Sequence, residues 1–133
     1  MTAITLKFDV MWKNELVGRI EIVEGVLVKN ESYNKDWYKN YWTKMTSATN
    51  ILMSLRNRCF DRARPDKADL LNYLGLEEYN VYEIIRRTHG VILGDFIWFR
   101  FDDDYKGVCW ETVNPKSDRY KRWWTDEKLQ TRE

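Results

Sequence analysis

Ile4-Thr5-Leu6-Lys7-Phe8-Asp9-Val10-Met11-Trp12 runs into Lys13-Asn14 and then into Glu15-Leu16-Val17-Gly18-Arg19-Ile20-Glu21-Ile22-Val23. In the first half Ile4, Leu6, Phe8, Val10 and Trp12 share one face, and Thr5, Lys7, Asp9 and Met11 share the other. That period of two is the pattern of a half-buried strand. Lys13-Asn14 is a short polar break suited to a hairpin turn. The return strand alternates Leu16, Ile20 and Ile22 with Val17, Arg19 and Glu21. Gly18 interrupts it, which marks a bulge or a close backbone approach. Glu24-Gly25 reads as a second turn and residues 26–29 as a third short strand. The first thirty residues therefore predict an antiparallel meander.

The pattern then changes. Residues 30–46 hold Tyr33, Trp37, Tyr38, Tyr41 and Trp42 among Lys, Asn and Asp. The spacing of 37, 38, 41 and 42 fits one face of a helical turn or an aromatic loop. Residues 47–60 predict a helix, with Ile51, Leu52, Leu55 and Cys59 at helical spacing. A second helix is expected to start at Pro65, with Ala68, Leu71 and Leu74 as its inner stripe and Gly75 as its C-terminal cap. A third is expected over 81–89, capped by Asn80 with Glu83 three residues on, and ended by Gly90. Val91-Ile92-Leu93 precedes the turn Gly94-Asp95. Residues 96–101 then read as a strand, Asp102-Asp103-Asp104 as a turn, and 108–113 as the partner strand.

The expected fold class is α+β: an antiparallel sheet, built from the N-terminal meander and a C-terminal hairpin, with about three helices on one side. The expected domain spans residues 1–115, followed by a charged tail, 116–133, that carries Tyr120, Trp123 and Trp124. A chain of 133 residues suits one domain, which buries roughly two thirds of its unfolded surface. Seven Trp and eight Tyr do not suit a disordered chain.

With 22 Lys+Arg against 21 Asp+Glu, bulk charge does not drive nucleic-acid binding, though a local patch can. No apolar run approaches the ~18 residues of a membrane span, so no membrane partner is expected. The N-terminus lacks the basic and apolar pattern of a secretion signal. Two cysteines do not make a disulfide framework, so a reducing, cytoplasmic location is expected.

No catalytic set emerges. His89, the single histidine, has no Ser or Cys motif beside it and sits at an expected helix C-terminus. The Asp102–104 run lacks the spacing of a cation loop and reads as a solvated turn. Cys59 and Cys109 lack zinc-site spacing and read as small buried hydrophobes. No nucleotide-binding glycine motif is present. No enzyme activity, metal or cofactor is expected.

Two features point to binding. Trp37, Tyr38, Tyr41 and Trp42 exceed what one helix face or loop buries, and such residues dominate protein interfaces. The alternative is that they cover the sheet as a lid. The stretch from Arg56 to Lys67 carries five positive and two negative charges. Arg62 and Arg64 are the expected electrostatic anchors for a partner. Arg56, Arg58 and Lys67 are candidates for phosphate contact, against the plainer reading of a solvated corner with local ion pairs.

The stretch Asp9-Val10-Met11-Trp12-Lys13-Asn14-Glu15-Leu16-Val17-Gly18-Arg19-Ile20 resembles the opening hairpin of HipA-type toxin kinases. Arg62-Ala63-Arg64, Leu70-Leu71 and Glu83-Ile84-Ile85 before a Gly resemble the helical part of the same N-terminal subdomain. Thr88-His89-Gly90-Val91-Ile92-Leu93-Gly94-Asp95-Phe96-Ile97-Trp98, followed by Trp110 and Asn114, resembles its next segment. The resemblance covers residues 5–115; the aromatic insert at 33–42 and the Trp-bearing tail have no counterpart in it. The kinase body has none either, so the resemblance implies no kinase activity. It implies a stand-alone regulator, antitoxin-like or inhibitor-like, of bacterial or phage origin. Its partner would be a protein, either a toxin kinase or a defence protein. The alternatives are a mobile-element counter-defence inhibitor of a host nuclease and a nucleic-acid-binding regulator using residues 56–67.

Overall fold

The computed structural model describes residues 4–36, 38–92, 95–102 and 108–113. Strands β1 (Leu6–Trp12), β2 (Glu15–Val23) and β3 (Val26–Ser32) form the meander. Helices α1 (Ala48–Arg56), α2 (Lys67–Leu74) and α3 (Val81–Thr88) follow, then β4 (Ile97–Phe101) and a short helix α4 (Trp110–Val113). The sheet is antiparallel throughout, in the order β3-β2-β1-β4. The α+β class, the meander and the three helices are as the sequence predicts.

Register follows the period of two. Phe8 stands opposite both Ile20 and Phe101, and Val10 opposite Gly18 and Phe99. Their side chains form one core with Leu6, Ile22, Ile51, Leu55 and Ile85. Each such side chain contributes roughly 1.5–3 kcal/mol by leaving water. The register slips between Val10 and Met11, next to Gly18. Met11 and its partner Trp98 face the other way, into a second core with Leu70, Leu71, Ile84, Val91 and Val113. α3 serves both, Ile85 in the first and Ile84 in the second.

Gly18 is a close approach. A Cβ there would collide with Thr43 Cγ2 and come within 2.8 Å of the Glu31 carbonyl. Its missing side chain lets the segment after β3 lie directly on β2.

Local signals fix the helix ends. Ser47 accepts the Asn50 amide, and Asn80 accepts those of Tyr82 and Glu83. Gly75 takes the left-handed conformation at φ 78 after α2. α2 begins two residues later than expected, at Lys67, so Pro65 lies in the preceding turn. Its buried residues are Leu70 and Leu71, while Ala68 is exposed.

The expected C-terminal hairpin is corrected. β4 pairs with β1, and among the described residues no strand follows it. Residues 110–113 form a helical turn because Thr112 and Val113 direct their amides back to the Cys109 carbonyl. The β1–β2 turn then grips that turn: Asn14 accepts the Trp110 amide at 2.8 Å and donates to Glu111 at 2.9 Å. The outer edge of β4 is met by the end of α3, where the Phe99 amide donates to the His89 carbonyl at 2.9 Å. Among the described residues no helix is long and apolar enough to cross a membrane. The expected tail, 116–133, lies outside them.

Candidate functional site

The segment after β3 is tied down by polar contacts with the first hairpin. The Tyr33 amide donates to the Val17 carbonyl at 2.8 Å. Asn34 donates to the Glu15 carboxylate, and Lys39 Nζ reaches the same carboxylate at 2.9 Å. These contacts hold the Glu15 carboxyl below its usual range, chiefly through the bond from Lys39, and raise Lys39 in turn. Asn30 Nδ2 donates to the Met45 carbonyl.

That anchoring divides the four candidate aromatics. Trp42, in a 3-10 turn over Trp42–Lys44, is only 4% exposed and packs edge-on against Phe99 at 4.8 Å. It belongs to the core, as the lid reading has it. Tyr38 and Tyr41 point outward, 48% and 61% exposed. Trp37 lies outside the described residues.

Tyr38 continues into a row of rings. It meets Trp12 at 5.4 Å, Trp12 meets Phe96 at 5.5 Å, and Phe96 meets Trp110 at 6.0 Å, all edge-on. Such contacts are worth about 0.5–1.5 kcal/mol each beyond burial and hold the rings at fixed angles. Lys13 Nζ stands 4.4 Å from the Phe96 ring and Lys39 Nζ 5.5 Å from Trp12. Phe96 remains 42% exposed. The sequence reading missed Trp12, Phe96 and Trp110. They lie far apart in the chain, and Trp12 reads there as one more inward residue of β1.

Beside this row opens a cleft of about 340 Å³, lined by Trp12, Tyr38, Tyr41 and Trp42, with Arg58 and Asp95. Arg58 is buried. It donates to the Gly90 carbonyl at 2.6 Å, the Ile97 carbonyl at 2.8 Å and Asp95 Oδ2 at 2.8 Å. Its guanidinium also lies 5.5 Å from the Phe99 ring. Burial pushes its pKa down, and the Asp95 hydrogen bond opposes that. Arg58 is thus a structural tie between the end of α1 and the start of β4, with each of its three nitrogens already in one hydrogen bond.

The other basic candidates separate. Arg64 pairs with the buried Asp66 at 2.7 Å. Arg62 is exposed, its guanidinium 4.9 Å from the Tyr79 ring. Arg56 is exposed at the end of α1, and Lys67 starts α2.

The weaker catalytic candidates have structural surroundings. His89 is buried, its ring 6.1 Å from that of Trp98. Asp102 is held by two hydrogen bonds from Arg19 at 2.8 and 2.9 Å, which lower its carboxyl pKa. Asp103 and Asp104 lie outside the described residues. Cys59 is half-buried, and burial raises its thiol pKa, opposite to what a nucleophile needs. Cys109 is partly buried beside Thr112. Among the described residues no group of three metal-ligating side chains gathers.

Comparison with protein-family models, with curated proteins and with solved structures finds no match.

Proposed function

We propose that this chain is a non-enzymatic, cytoplasmic regulator that acts by binding a partner protein through the aromatic row and its cleft. The observation that carries the reading is the row Tyr38–Trp12–Phe96–Trp110, with Tyr41 at the cleft mouth. Its rings are held at fixed angles by one another, while Tyr38 and Phe96 in the row and Tyr41 beside it remain exposed. Rigid aromatics lose little conformational entropy on binding, which suits them as anchors. Lys13 and Lys39 at the margin supply the polar rim of such an interface.

The resemblance to the N-terminal subdomain of HipA-type kinases makes an antitoxin-like or inhibitor-like role the specific form of the proposal. A toxin kinase is then the first partner to seek and a defence protein the second. The nucleic-acid reading of residues 56–67 has less support, because Arg58 is buried and Arg64 is paired with Asp66.

The test is a pull-down from bacterial lysate with the full chain and with a Tyr38→Ala, Tyr41→Ala double variant, each with and without nuclease. A stoichiometric protein that survives nuclease and is lost with the double variant supports the proposal. Capture unaffected by the double variant, or abolished by nuclease, overturns it. The identity of the captured protein separates toxin kinase from defence protein.

A further inference from the structure

Arg56, Arg62 and Arg86 come from the last turn of α1, the α1–α2 connection and α3, yet they line one open groove of about 520 Å³. Its remaining walls include Tyr79, Tyr82 and Leu6. Glu83 is the one carboxylate among the lining residues, 3.9 Å from Arg86. Arg86 is engaged with Glu83 and lies 5.5 Å from the Phe101 ring, so the open positive charge of the lining is that of Arg56 and Arg62.

Two of the guanidiniums are uncommitted to carboxylates. Among the described residues no carboxylate lies within ion-pair distance of Arg56 or Arg62. Arg62 is nonetheless oriented, because its guanidinium stands over the Tyr79 ring. That ring is fixed from behind, where its hydroxyl donates to the Phe60 carbonyl at 2.6 Å. The groove also opens at the start of α3, whose dipole favours an anion. Asn80 already occupies the Tyr82 and Glu83 amides, so recognition there falls to the guanidiniums.

We propose that this groove binds a small phosphorylated ligand of about nucleotide size, with its phosphate held by Arg56 and Arg62. A single carboxylate brings one negative charge against the two open guanidiniums. A phosphate monoester carries roughly −1.5 to −2 and three acceptor oxygens, which match both the donors and the net charge of the lining. The volume falls within the roughly 300–1,000 Å³ of small-ligand sites. A nucleic-acid strand needs a continuous basic track, and here the track is broken. Arg58 is buried and Arg64 is paired, which leaves a single local spot. The groove shares no lining residue with the aromatic cleft, so the two proposals stand or fall separately.

The test is an NMR titration of the full chain with inorganic pyrophosphate, with AMP, with citrate, and with single-stranded DNA of two lengths. Pyrophosphate and AMP are expected to give saturable shifts at the Arg62 Nε and at the Val81 and Tyr82 amides. An Arg56→Gln, Arg62→Gln variant is expected to weaken both by tenfold or more at unchanged melting temperature, since charge-assisted bidentate contacts are lost. AMP binding tighter than pyrophosphate supports a nucleotide, and the reverse a free polyphosphate. Absence of saturable shifts overturns the proposal, as do shifts that persist in the variant or citrate binding as tight as pyrophosphate. DNA affinity that climbs with length and resists pyrophosphate also overturns it, and assigns the groove to a strand.

Discussion

Arg58 Nη2 donates to the carbonyl of Ile97 at 2.8 Å, joining the end of α1 to the first residue of β4. The same guanidinium reaches the carbonyl of Gly90 and the carboxylate of Asp95. One side chain thus closes the helical segment onto the edge of the sheet and forms the floor of the aromatic cleft.

Arg58→Met should therefore destabilise the fold by about 2–5 kcal/mol, since the buried Gly90 and Ile97 carbonyls lose their donor at about 1–3 kcal/mol each while the partly exposed Asp95 can turn to water. Urea unfolding measures it. Arg58→Lys should recover little, because one ammonium cannot span two carbonyls and a carboxylate. A neutral Arg58→Met would remove the structural role assigned to this residue.

Gly18→Ala should cost about 1–3 kcal/mol through overpacking against Thr43 and the Glu31 carbonyl. Thr43→Ser removes the colliding Cγ2 and should restore part of the loss. The backbone contact remains, so the rescue stays incomplete. A double-mutant cycle in urea reads the coupling.

Trp42→Ala and Tyr41→Ala separate core from surface. The first should lose about 3–5 kcal/mol, as large buried aromatics do. The second should stay within about 0.5 kcal/mol of the parent while weakening partner capture. Equal effects of the two on stability would contradict their opposite burial.

The Glu15–Lys39 pair gives the anchoring of the aromatic segment a pH dependence. Glu15 is depressed in the fold, so its contribution is present above the ordinary carboxylate range and is lost as pH falls through the folded value. Lys39 is raised, so its contribution is present below the ordinary lysine range and is lost as pH rises through the folded value. The Trp12 indole resonance, beside Lys39, should move at both limits and stay constant between them. Glu15→Gln should abolish the acid-side movement.

How much was legible in the sequence follows the range of each interaction. Asn80 caps α3 with partners two and three residues away, and Gly75 ends α2 where a left-handed residue is needed. Both can be read from a short window. Arg58 could not be, because its three partners lie 32 to 39 residues away and nothing in the basic run separates it from Arg56 or Arg62. The candidate aromatics divided for the same reason: Tyr41 and Trp42 are neighbours in sequence, and only the seat of the 3-10 turn on Gly18 and Phe99 turns one inward and leaves the other in water.

The sequence by itself determined the α+β class, the meander, the inward face of β1 and most helix ends; on β2 the irregularity at Gly18 turns Val17 inward and leaves Leu16 exposed, the reverse of the expected alternation. Alternation, turn chemistry and capping act over a few residues, and water sorts the two faces of a strand without reference to the rest of the chain. Only the tertiary structure decided that β4 pairs with β1 and that residues 110–113 coil against the Lys13-Asn14 turn. It also decided that Trp12, Phe96 and Trp110 join Tyr38 in one row, and that Arg86 joins Arg56 and Arg62 in one groove. Each of those outcomes is a choice among distant partners, and packing of the whole chain makes it.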